Sequence, residues 1–207
     1  ILNQAPVEVS KKRYKNKIKS KTKMLIGPEY AIIDEKYYSV RENLKSRNGE
    51  INRILVSYGG VDKTNETTRA LKAINNVDLS EVFIDVVIGS SNIHRNKIFN
   101  QVNRMRNIKI HIQLPTLAKL MGNADLAIGS GGGTTWERIY LGLPSIVTTV
   151  SNNQVSIPYL DKNGYLFWIG DSKEVTKKVI ENKIKELIQN QSILANQSSK
   201  CMKFVDG

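Results

Sequence analysis

Three consecutive glycines, Gly131 to Gly133, stand between the apolar run "DLAIGS" and a segment, "TTWERIYLG", that reads as a helix carrying a single acid, Glu137. Glycine lets backbone N–H groups approach an anion closely, and a helix starting at Gly133 or Thr134 would aim its free N–H groups and positive dipole end at a phosphate. Glu137 falls within the first turns of that helix, on the scale of one nucleotide from such a phosphate. A carboxylate accepts two hydrogen bonds at once and so suits the vicinal hydroxyls of a ribose. Each feature also has a plainer reading: glycines that permit tight helix–sheet packing, and a solvent-exposed acid favoured by the helix N-terminus.

Other phosphate and nucleophile motifs do not fit. A Walker A loop requires Gly-Lys-Ser/Thr, which is absent, and a dinucleotide fingerprint requires G-x-G-x-x-G/A on the first strand, whereas Gly129-x-Gly131 is followed by Thr134 on the fourth. A nucleophile elbow requires G-x-S-x-G, but Ile128 stands where the first glycine before Ser130 would be. His94 and His111 have no Cys or acidic cluster at metal-ligand spacing, so no metal and no cofactor is expected, and each reads as a surface or helix-start residue. Trp136 and Trp168 read as packing residues, and Cys201, on the C-terminal tail, as inert.

The elements that would position these residues follow from hydrophobic pattern. "RILVSYGG", "VFIDVVIG", "IKIHIQL", "DLAIGSGG" and "PSIVTTV" are continuous apolar runs, the mark of strands buried on both faces. Between them "TNETTRALKAINN", "HRNKIFNQVNRM" and "TLAKLMGNA" carry helical stripes, and a Lys- and Glu-rich helix is predicted over about residues 172–190. Alternating strands and helices predict an α/β, Rossmann-like parallel sheet flanked by helices. Ligands of such sheets bind beyond the carboxyl ends of the strands. The loops there are "SYGGVDKT" with Gly59 and Gly60, "IGSSN" with Gly89, "GSGGGTT", and "VSNNQ" with Asn153 and Gln154.

Residues 1–50 do not join this rhythm. "KMLIGPEYAIID" reads as one strand or extended segment punctuated by Gly27-Pro28, and "KYYSVRENLKSRNGE" as a helical connector ending at Gly49. The expected division is therefore 1–50 as the end of a preceding domain plus linker, 51–190 as the sheet domain, and 191–207 as a C-terminal helix or tail. The chain opens on "ILNQAP" without an initiator Met, which predicts a piece of something longer.

Composition narrows the classes. With 207 residues, 40% of them hydrophobic, the chain can bury a real core. A single cysteine argues against a disulfide framework, and no apolar run is long enough to span a bilayer, so a cytoplasmic location is expected. The net charge of +12 is concentrated in "KKRYKNKIKSKTK", residues 11–23. Only Tyr14 interleaves an aromatic there, so a solvated linker or exposed surface is the reading and no nucleic-acid partner is called for; the alternative is contact with an anionic membrane or nucleic acid.

The combination "LNQ" (2–4), "LIGPEYAII" (25–33), "SYGGVD" (57–62), "ADLAIG" (124–129), "GGGTTWER" (131–138), "LGLPSI" (141–146) and "NNQ" (152–154) resembles the C-terminal, nucleotide-binding half of two-domain GT-B nucleotide-sugar proteins. More narrowly it resembles the UDP-sugar hydrolases that make 2,4-diacetamido-2,4,6-trideoxy-L-altrose for pseudaminic acid, with the related spore-coat polysaccharide proteins. It is distantly similar to the lipid-II-forming UDP-N-acetylglucosamine transferase. The resemblance implies that Glu137 holds the ribose and that the backbone of Leu114 meets the uracil edge. It implies a diphosphate cradle of Ser130, Gly131, Gly132, Gly133, Thr134 and Thr135 with Gly59 and Gly60, Asp62 lying close by. Asn153 and Gln154 would face the sugar and phosphates, Asn153 as a supporting catalytic residue. The family's principal base is a histidine of the N-terminal domain, a position that neither His94 nor His111 matches. The implied partners are UDP or a UDP-linked amino sugar and a missing N-terminal domain. Three readings follow: the nucleotide half of a metal-independent UDP-sugar hydrolase, the donor half of a glycosyltransferase, or a non-catalytic binding module.

Overall fold

A computed structural model describes residues 1–14, 17–18 and 21–205; Lys15, Asn16, Lys19 and Ser20, within the basic run, lie outside the described residues. A short parallel pair, β1 (Leu2–Asn3) and β2 (Leu25–Ile26), brackets α1 (Val7–Tyr14), and a 3-10 turn at Pro28–Tyr30 leads to α2 (Lys36–Glu42). The regular part follows as β3 (Arg53–Ser57), α3 (Glu66–Ile74), β4 (Phe83–Ile88), α4 (Arg95–Val102), β5 (Ile108–Ile112), α5 (Ala118–Asn123), β6 (Leu126–Ser130), α6 (Thr134–Tyr140), β7 (Ser145–Thr149), α7 (Ile157–Lys162), β8 (Phe167–Asp171), α8 (Lys177–Gln189) and α9 (Gln191–Phe204).

The six strands β3 to β8 form one parallel sheet in the order β5-β4-β3-β6-β7-β8. The order reverses between β3 and β6, so the loops leaving those two strands diverge and open a crevice. Strands β3, β4, β6 and β7 alternate their side chains between two apolar layers, which is why their sequences read as unbroken runs, whereas β5 turns Ile108, Ile110 and Ile112 to one layer only. Ile54, Val56, Val86 and Ile128 pack with Leu71 of α3, Ile98 of α4 and Ile180 and Ile184 of α8. Leu55, Val87, Ala127 and Val147 pack with Met121 of α5, Ile139 of α6 and Leu160 of α7. Burying each such side chain contributes about 1.5–3 kcal/mol.

Helix α6 ends in a Schellman turn. Gly142 takes φ +57°, its N–H donates to Ile139 and that of Leu143 to Arg138, and Pro144 then forbids further helix. Helix α8 begins at Thr176, whose side chain accepts from the Val179 N–H.

Several expectations need correction. The extended segment around 23–34 is a two-residue strand followed by the 3-10 turn, because Gly27 at φ +143° and Pro28 break it. The helical connector stops at Glu42, well short of Gly49. His111 lies within β5, half-buried, its Nε2 2.7 Å from the Asp85 carboxylate. Cys201 lies in helix α9 and not on a tail, and its full burial, which pushes the thiol up to about 12, agrees with its reading as inert. The strand β8 adds a sixth to the five foreseen.

Candidate functional site

The turn after β6 carries the densest set of free donors. The N–H groups of Gly131, Gly132, Gly133 and Thr134 have no acceptor among the described residues. Helix α6 has no side-chain cap, so its dipole end is open to an anion. The packing explanation for these glycines divides by position. A Cβ on Gly133 would meet nothing within 4 Å and one on Gly132 only the Ser130 hydroxyl at 3.9 Å, whereas one on Gly131 would strike Ile157 at 2.5 Å and one on Gly129 the Ser57 carbonyl at 2.3 Å. Gly129 and Gly131 therefore serve packing, while Gly132 and Gly133 leave backbone open.

Across the crevice, Gly59 takes φ +84°, and neither it nor Gly60 would meet anything with an added Cβ. Gly89 does serve packing, since its Cβ would lie 2.2 Å from the Gly60 carbonyl. Asp62 is placed differently from a ligand contact: its two carboxylate oxygens accept from the N–H groups of Glu66 (2.8 Å) and Thr67 (2.9 Å). Helix α3 is thus capped by its own carboxylate, and of the two helices following these loops only α6 presents an unneutralised N-terminus.

The loop after β7 closes a cleft of about 270 Å³ against the triple glycine, with Asn3 and Gln4 contributing to its wall. Gln154 lines the cleft, its Oε1 accepting from the Val150 N–H at 2.9 Å, which fixes the amide. Asn153 is exposed beside it. Asn3 is held by its own side chain, Oδ1 accepting from the Ala5 N–H and Nδ2 donating to Ser10 and Tyr14. Trp136 is buried and lines the same cleft.

Glu137 is neither free nor solvated. It is half-buried, and Tyr37 of α2 donates its hydroxyl to Oε2 at 2.7 Å. Burial, and then the neighbouring carboxylate, push the Tyr37 hydroxyl well above the usual tyrosine range, with Thr116 and Leu117 partly offsetting this. The apolar cluster that contains Tyr37 also takes in Leu114 and Leu117 of the β5–α5 loop, where half-buried Leu114 follows Gln113 at φ +50°. Neither the N–H nor the C=O of Leu114 has a partner among the described residues. The Gln113 side chain ties this loop to the next by accepting from Ser90.

Two residues here escape sequence reasoning. Tyr37 is 100 positions from its partner, and nothing local marks it. Arg138 did carry a signal: a cation amid Trp136, Ile139 and Tyr140, on the face a helix buries. Its guanidinium is buried, donating from Nη2 to the Ser130 carbonyl (2.8 Å) and Thr135 Oγ1 (3.0 Å). Among the described residues no group of three or more His, Cys, Asp or Glu side chains could hold a metal ion.

A family model described as "Protein of unknown function (DUF354)" matches residues 53–202. The chain belongs to the DUF354 family. This DUF354 chain is similar to curated relatives and to solved structures. It is 32% identical over 133 residues to the uncharacterized protein MJ1062 of Methanocaldococcus jannaschii, covering 62% of this chain and 27% of that one. To the spore coat polysaccharide biosynthesis protein SpsG of Bacillus subtilis it is 27% identical over 140 residues, 67% of this chain and 41% of that one. The chain thus spans less than half the length of these relatives. Acinetobacter baumannii MurG superposes with TM-score 0.63 at 15% identity over 91% of this chain and 53% of its own. The glycosyltransferase VinC in complex with dTDP does so with TM-score 0.60 at 13% identity over 92% and 45%. The fold is the parallel, Rossmann-like α/β fold of these structures, matched over about half of their length.

Proposed function

We propose that this DUF354 chain is the nucleotide-holding part of a sugar-processing enzyme, and that it binds UDP or a UDP-linked amino sugar in the cleft between Gly131–Thr135 and Asn153–Gln154. The observation that carries the reading is the row of four unpartnered N–H groups at an uncapped helix start, with a carboxylate one helical turn further on. The diphosphate sits on those groups with Gly59 and Gly60 opposite; the ribose diol lies on Glu137, and uracil meets the free backbone of Leu114. Asn153 and the Gln154 amide face the sugar. The SpsG name and a structural neighbour holding a nucleoside diphosphate support the same class.

The reaction proposed is hydrolysis at the sugar anomeric carbon. Water forms a bond to C1, the C1–O bond breaks, UDP departs with the electron pair, and a base outside these 207 residues takes the water proton. Negative charge grows on the leaving diphosphate as the bond breaks, so preorganised N–H donors favour the transition state over the bound sugar nucleotide. Val61, Ile93 and Val155, exposed on the loops after β3, β4 and β7, would be covered by a preceding domain closing over the cleft. A transferase that passes the sugar to an acceptor is the second reading, favoured by the glycosyltransferase fold.

Titration calorimetry with UDP, ADP and uridine tests the binding step. UDP is expected to bind more tightly than ADP, with no product formed from UDP-sugars by this chain alone. No heat with any uridine nucleotide rejects the assignment, and brisk hydrolysis by the chain alone rejects the external base.

A further inference from the structure

Arg138 is a buried cation that touches no anion: burial lowers its guanidinium to about 10, outweighing the Glu137 carboxylate, which acts on it only through space. It is 2% exposed, forms no ion pair among the described residues, and its Nε has no acceptor. A buried charge is costly unless something of opposite sign compensates it. The strand has been shaped to admit it, since a Cβ on Gly129 would come within 2.9 Å of Nη1.

The two atoms that receive its hydrogen bonds explain why it is there. The Ser130 carbonyl that accepts from Nη2 belongs to the same peptide unit as the Gly131 N–H. In a trans peptide these two groups point in opposite directions, so a guanidinium drawing on the carbonyl from one side turns and polarises the N–H on the other. Thr135 Oγ1 likewise accepts from Nη2, and its hydroxyl proton, with no acceptor among the described residues, remains to be donated. Gly131 and Thr135 both line the cleft. One buried charge is thereby relayed into two donors of the cleft wall.

We propose that Arg138 is the buried counter-charge of a phosphate or diphosphate group held over Ser130–Thr135, a positioning residue that acts through the Gly131 N–H and the Thr135 hydroxyl. This rests on reading the cleft as a nucleoside diphosphate site.

The test compares the protein with Arg138→Met and Arg138→Lys by calorimetric titration of UDP, inorganic pyrophosphate and uridine. Arg138→Met is expected to raise the Kd for UDP and for pyrophosphate by about tenfold or more while leaving uridine within about twofold, with Arg138→Lys in between. Equal losses for UDP and uridine, or no loss at all, overturn the proposal and leave Arg138 a purely structural clamp. If neither variant folds, arginine-labelled protein of the original sequence decides: the Arg138 Nε–H resonance should move with pyrophosphate and UDP but not with uridine, and a resonance indifferent to both phosphates overturns it. The two readings part cleanly. Pyrophosphate binding that depends on Arg138 without any preference for uridine sinks the nucleotide reading alone, and UDP binding indifferent to Arg138 sinks this one alone.

Discussion

Glu137 is the residue on which most of the proposed chemistry converges, and its bond to Tyr37 alters what its replacement should do. Glu137→Gln keeps the shape but makes both contacts neutral. A hydrogen bond to a charged group contributes about 1.5–3 kcal/mol, so UDP binding should weaken by about ten- to a hundredfold. Pyrophosphate, which lacks the ribose, should be affected less; equal weakening would mean that Glu137 acts through the field of the site and not through the diol. The Tyr37 contact should cost about 1 kcal/mol of stability, a fall of about 2–4 °C in Tm. Tyr37→Phe should reproduce that fall. If Glu137→Gln melts unchanged, the Tyr37 bond carries no weight. The sequence made Glu137 conspicuous through its spacing from the glycines, but gave no hint that a residue 100 positions earlier holds it.

Among the elements, the glycine-rich turn separates positions that look alike in the sequence. Gly129→Ala drives a methyl into backbone at 2.3 Å and should destabilise by about 2 kcal/mol or more, visible as a lower urea midpoint. Gly133→Ala meets open space and should stay within about 0.5 kcal/mol of the parent while impairing UDP binding. A matching loss of stability in both would contradict the division of roles. The five strands legible in the sequence, β3 to β7, are Ile- and Val-rich runs, and this holds even for β5, an edge of the sheet whose Ile108, Ile110 and Ile112 pack on the core while Lys109 is exposed. Strand β8 was not legible, for a physical reason: its run Phe167–Asp171 holds two aromatics and a glycine where β5, the other edge, holds three isoleucines, Gly170 sits at φ +118°, and its register with β7 breaks between Val147 and Thr149. A half-covered, aromatic, Gly-interrupted run has neither the continuity nor the alternation that reveals a strand.

For the molecule as a whole, two arginines fasten the segment before β3 to the far side of the sheet. Arg41 donates to the carbonyls of Tyr140, Met202 and Val205, and Arg47 to those of Met121, Ala124, Leu141 and Gly142. Burial lowers Arg47 to about 10, a cost accepted because these helix-end carbonyls would otherwise lack donors. Arg47→Met should therefore lower stability by about 2–3 kcal/mol, measured by urea unfolding; a change below about 0.5 kcal/mol would show that water satisfies them equally well. Such docking is beyond sequence pattern, because guanidinium-to-carbonyl contacts across more than 70 positions leave no periodic trace. They also impose a sequence of events in time. Arg41 cannot engage its last acceptors until Met202 and Val205 have been made and α9 has folded, so during synthesis the helix bearing Tyr37 waits, unclasped, for more than 160 further residues. The grip of Tyr37 on Glu137 would then settle after the sheet in a nascent chain, and the site proposed for a nucleotide would be completed late.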